Sequence, residues 1–161
     1  MKKLLATLAV ALTLLTAPAH AANIVETAKG AGVFDTLLAA AKAAGLLDDL
    51  KRGPITVFAP TDDAFARLPP GTVDALLKPG SKAKLAAILA YHVVPGRVLA
   101  ADVPTKPTFV GTLNRSQAKV LAVRKGHAVT VNGVRVTQAD IRADNGVIHV
   151  INEVLWPGEL R

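Results

Sequence analysis

The segments TVFAPTDDAF (Thr56–Phe65) and NGVIHVINEVLWP (Asn145–Pro157) decide the fold. In the first, the apolar run Ile55–Ala59 stops at Pro60, and Thr61-Asp62-Asp63 then reads as a helix start, where acidic residues are favoured. In the second, an Asn-Gly turn launches a run rich in β-branched residues, Val147–Leu155, that ends at Pro157. The two runs sit near opposite ends of the chain, so strands formed from them could close a single domain.

Between and around these runs the hydrophobic period changes once. Val33, Phe34, Leu37, Leu38 and Ala41 recur at three and four, which predicts a helix over Val33–Ala44 with Gly45 as its stop. Asn23 can cap a short helix, Ile24–Lys29, and Gly53-Pro54 marks a turn into the first strand. Thr72–Leu77 predicts another short helix. Ser81 can cap a longer one that places Leu85, Ile88, Leu89 and His92 on one face and ends at Pro95-Gly96. After Pro107 the period falls to two. Asn132-Gly133 between HAVTV and VRVTQ predicts a hairpin, and Asn145-Gly146 repeats the signal. Helices first and a strand meander later give an α+β class.

Residues 1–21 read as an export signal. Lys2 and Lys3 precede the apolar stretch Leu4–Leu15, and Ala19-His20-Ala21 is an A-x-A cleavage site. The apolar stretch is short for a bilayer span, so cleavage after Ala21 would leave one domain, Ala22–Arg161, that is periplasmic or secreted and has no transmembrane segment. The chain has no cysteine, hence no disulfides, and packing alone must hold it. Its net charge of +7 falls to +5 once Lys2 and Lys3 leave. Lys106, Arg115, Lys119, Arg124, Lys125, Arg135 and Arg142 face only Asp140 in one stretch. Such a stretch either attracts anionic partners or forms the solvated faces of strands.

The chemistry-bearing residues do not assemble into a reaction centre. Ser81-Lys82-Ala83-Lys84 matches S-x-x-K, but the S-D-N and K-T-G elements that such a site needs are missing. Asp62 and Asp63 are adjacent at a helix start, which suits capping, and no DxDxDG-type loop provides for calcium. His92, His127 and His149 lack the spacing of a metal-ligand set. No catalytic residue, metal or cofactor is expected. Nucleic acid is a poor fit, because most of the few aromatics sit in core-like patterns instead of alternating with cations. Trp156 either plugs the core or stands out as an anchor.

Four elements in order resemble the fasciclin-like domain family: Thr56–Phe65 as its first box, Tyr91-His92 as its central pair, Asp140-Ile141 in TQADI, and Asn145–Pro157 as its second box. Asn152 stands where the family often has Asp. The resemblance implies a compact β-sandwich or wedge of about seven strands with several helices packed around it. It also implies an adhesion or matrix-contact role without an enzymatic reaction, with a protein or polysaccharide of the cell envelope or extracellular matrix as partner. Asp140, Ile141, Tyr91 and His92 are then the contact candidates. Tyr91 and His92 read equally as a core pair, and Asp140 as a turn residue. Some relatives carry carotenoids, so an apolar-ligand carrier is the alternative.

Overall fold

The computed structural model describes residues 22–114 and 118–158. The expected export signal, residues 1–21, and Arg115 lie outside them. Six helices and seven strands follow in the order α1 (Ile24–Ala31), α2 (Asp35–Ala44), α3 (Leu47–Lys51), β1 (Ile55–Pro60), α4 (Asp62–Ala66), α5 (Thr72–Leu77), α6 (Lys82–Tyr91), β2 (Val93–Pro95), β3 (Thr108–Gly111), β4 (Lys119–Lys125), β5 (Ala128–Val131), β6 (Val134–Ala143) and β7 (Gly146–Ile151).

The strands form one sheet in the order β2-β1-β7-β6-β5-β4-β3. Its ends nearly meet, because the Leu113 amide just past β3 donates to the Val93 carbonyl of β2 at 2.8 Å. The result is the expected seven-stranded wedge, built as one almost closed sheet. The strands from Thr56–Phe65 and Asn145–Pro157 lie side by side. β1 and β7 run parallel in continuous register from Ile55 beside Gly146 to Pro60 beside Ile151.

β1 and β7 are buried along their whole length, because each is covered on both faces. Ile55, Val57, Ala59, Ile148 and Val150 point into a core shared with the helices. Phe58 and Ile151 point into a second core inside the wedge, with Val120, Ala122, Val129 and Val131. A strand covered on both sides reads as a continuous apolar run, whereas β4 and β5, bare of helices outside, alternate.

Local signals explain several helix ends. Asn23 and Glu26 form a reciprocal capping box on α1, and Gly45 closes α2 in the left-handed region at φ 75°. The start of α2 differs from expectation. Val33 is exposed and Phe34 occupies the cap position without a capping side chain. The cap comes from elsewhere: the Asp62 carboxylate accepts the Thr36 amide (2.7 Å) and the Asp35 amide (3.3 Å). Burial raises the Asp62 pKa, but these hydrogen bonds outweigh it and the net shift is downward. Asp62 therefore starts α4 and caps α2, a contact worth about 1 kcal/mol.

Three further expectations need correction. Ser81 stands at the head of α6 yet makes no side-chain capping bond, because it ends the 3-10 turn Pro79–Ser81. The helix stops at Tyr91, and Val93–Pro95 become β2 instead of extending it. β7 ends at Ile151; Val154 and Leu155 are buried by chain that turns back inward.

Candidate partner-contact site

Asp140 lies where β6 is irregular. The register against β7 slips between Val136 and Gln138 and again between Gln138 and Ile141. These bulges turn the Asp140 backbone into the left-handed region (φ 59°), which Asp tolerates better than most residues. The distortion is held on both sides. The Asp140 amide donates to His149 Nδ1 (3.2 Å), and its carboxylate accepts the Ala100 amide (2.8 Å). About 40% of the side chain stays exposed. Ile141 next to it is half-buried, opposite Ile148, and packs against the helix-side core.

His149 is the buried half of this arrangement. Its ring stacks on Phe58 at 5.6 Å, and its Nε2–H donates to the Val98 carbonyl (2.7 Å). The Val98 amide in turn donates to Thr56 Oγ1, whose hydroxyl donates to the Gly96 carbonyl. One chain of bonds thus ties the bulge to the segment after β2. The network assigns the proton to Nε2 and leaves Nδ1 as acceptor, so the 4.0 Å approach of Nδ1 to the Asp140 carboxylate is no ion pair. Burial lowers the His149 pKa, outweighing the Val98 bond and the Asp140 charge, which pull it up.

Tyr91 and His92 sit inside, where α6 hands over to β2. The Tyr91 hydroxyl donates to the Lys119 carbonyl (3.1 Å) and accepts from Asn132 Nδ2 (2.7 Å), so it ties the helix to the Asn132-Gly133 hairpin. His92 Nδ1–H donates to the Ile88 carbonyl (2.8 Å), and its Nε2 accepts the Leu155 amide (2.9 Å). Burial pushes its pKa down to about 4. Both ring nitrogens of both histidines are engaged, so neither is free to shuttle a proton to a substrate. Among the described residues no three His, Cys, Asp or Glu side chains gather in a way that could hold a metal.

Of the four contact candidates, Asp140 and Ile141 therefore lie together at the surface, while Tyr91 and His92 brace the interior. Trp156 is partly buried against the helix-side core. Asn145, expected only as a turn residue, is a connector. Its side chain accepts the Ile24 amide (2.8 Å) and donates to the Leu50 carbonyl (2.8 Å), and its backbone carbonyl accepts the Ile55 amide (3.1 Å). A polar residue inside a motif is the only hint the sequence offers.

The fasciclin domain family model matches residues 32–157, nearly the whole described domain. The chain belongs to the fasciclin domain family. It is 51% identical over 138 residues to Protein sll1483 of Synechocystis, covering 85% of this chain and 74% of that protein. It is 40% identical over 140 residues to the transforming growth factor-beta-induced protein ig-h3 of Sus scrofa, covering 84% of this chain and only 19% of that larger protein. Its fold is similar to that of a FAS1 domain pair from the insect cell adhesion molecule Fasciclin I. The TM-score there is 0.72 at 17% identity, over 86% of this chain and 52% of that chain. As a fasciclin domain, the chain has its two family boxes paired as β1 and β7 and its Tyr-His pair inside. No helix among the described residues is long and apolar enough to cross a membrane.

Proposed function

We propose that this fasciclin domain is an exported adhesion- or matrix-type binding module. It acts without catalysis, through surface contacts with a protein or polysaccharide of the envelope or extracellular matrix. Residues 1–21 direct its export. The observation that carries the reading is the rigid presentation of Asp140: a left-handed bulge residue with a partly exposed carboxylate, pinned by His149 from beneath. A preorganised acidic contact loses little conformational entropy when it binds. Tyr91 and His92 serve this surface indirectly, by fixing the interior. Ile141 adds an apolar shoulder, although truncating it would also disturb the core it packs against. Asp140→Asn is therefore the cleaner variant, since its amide oxygen can still accept the Ala100 amide. Retention on native envelope or matrix material is expected to fall about tenfold with an unchanged melting profile. Full retention would remove Asp140 from the site.

A second reading, an apolar-ligand carrier, is favoured by a cleft of about 1080 Å³. Leu46, Leu50, Ile55 and Val93 line it together with the small side chains Ala83, Ala86, Ala87 and Ala90 of α6, while Asp49, Arg52 and Lys82 add charge. It is roomy enough for an elongated apolar molecule of carotenoid type. Protein purified from its native host should then absorb visible light, and a colourless preparation argues against the pigment.

A further inference from the structure

We infer that the helix-free outer face of β3, β4 and β5 docks on an anionic lipid surface. From Pro104 to Ala139 the sequence holds six Lys/Arg and no Asp or Glu. The described residues of this stretch, five of those cations among them, include three adjacent strands and the first half of β6, so the uncompensated charge gathers on one part of the molecule. The helical segment Ala22–Val103 is close to balance instead, with nine Lys/Arg against eight Asp/Glu. A molecule polarised in this way turns its basic side toward an anionic surface.

The same face carries apolar groups. Phe109 is 68% exposed, the most exposed large apolar side chain among the described residues. It stands opposite Leu121 and shares its outward side. Residues that face one another across antiparallel strands share a side, and alternation along β4 puts Lys119, Val123 and Lys125 on that side as well. Leu121 and Val123 are only partly covered, and Lys119 and Lys125 are exposed.

A ring and two aliphatic side chains bracketed by lysines suit insertion at the boundary between headgroups and acyl chains. A soluble polyanion would use the lysines and leave the ring idle. This face is separate from the Asp140 contact, and the two inferences stand or fall independently.

Both core clusters lie within the described residues, so the chain from Ala22 onward carries its own core and can be tested without the apolar leader. Co-sedimentation with phosphatidylglycerol/phosphatidylcholine vesicles and with pure phosphatidylcholine vesicles reads the effect. Binding should require phosphatidylglycerol and weaken with salt. Lys119→Glu combined with Lys125→Glu should weaken it by at least about tenfold. Phe109→Ser should weaken it about tenfold with an unchanged circular dichroism spectrum. Asp140→Asn should leave it unaltered.

Three outcomes would overturn the inference. One is equal binding to both vesicle types. Another is full binding by the Phe109→Ser variant, which would point to a polyanion. The third is sedimentation without vesicles, which would point to basic-to-acidic self-association.

Discussion

Replacing Gly146 with alanine is expected to unfold the domain, at a cost of about 4 kcal/mol or more. A Cβ at this position would run into the Ile55 carbonyl oxygen of the parallel neighbour and would lie 2.8 Å from Ile24 Cδ1. Ordinary overpacking costs about 1–3 kcal/mol because side chains can give way. Here the obstacle is main chain. Relief requires β1 and β7 to separate at their shared start, where the Ile55 amide bonds to the Asn145 carbonyl. That movement would also pull Asn145 away from Ile24 and Leu50. Thermal denaturation followed by circular dichroism checks it. A midpoint within a few degrees of the parent would mean that the strands tolerate the methyl group.

Acidification is expected to produce the second large effect, through His92. Its pKa is about 4 in the folded chain against 6.5 for the free side chain, because burial disfavours the charged ring. Between these values the unfolded chain binds more protons than the folded one. Stability therefore rises with pH across the window; the contribution is full above about 6.5 and is lost as pH falls through about 4. The difference amounts to about 3 kcal/mol, a large share of a typical domain's stability. His149, also lowered, acts in the same direction, and Asp62 adds a further loss below its ordinary carboxylate value. Urea denaturation at pH 7.5, 5.5 and 4 reads the slope, and equal stability at all three would contradict the burial of a neutral imidazole. Nitrogen NMR should also find opposite tautomers, Nδ1–H in His92 and Nε2–H in His149.

Local chemistry made much of the fold legible. Asn132 and Gly133 adopt the two positive φ values, 50° and 79°, that a tight hairpin demands. Thr72–Leu77 begins and ends where its pattern says. The similar pair Asn145-Gly146 has a different job. Gly146 already belongs to β7, opposite Ala143, so the connection is made by Asp144 and Asn145. Its glycine answers a crowded neighbour instead of a turn, and crowding from a distant strand leaves no local trace.

The same limit hid the cap of α2, which comes from Asp62, and the exposure of Phe109, which depends on its partner strand. Apolar pattern also cannot separate a strand from buried irregular chain, which is why β7 was expected to reach Leu155. For the contact site, the sequence marked Asp140 and Ile141, but the bulge and the bond from His149 exist only once β6 and β7 pair.

The side-by-side placement of β1 and β7 bears on when the protein can take shape. One flank of β1 stays open until the final strand is available, and the first helix waits for the same carboxy-terminal turn. The amino-terminal two-thirds therefore cannot settle ahead of the rest, and long-range pairing of this kind is slow to form. Under the proposed export, such all-or-nothing assembly delays folding until β7 has cleared the channel.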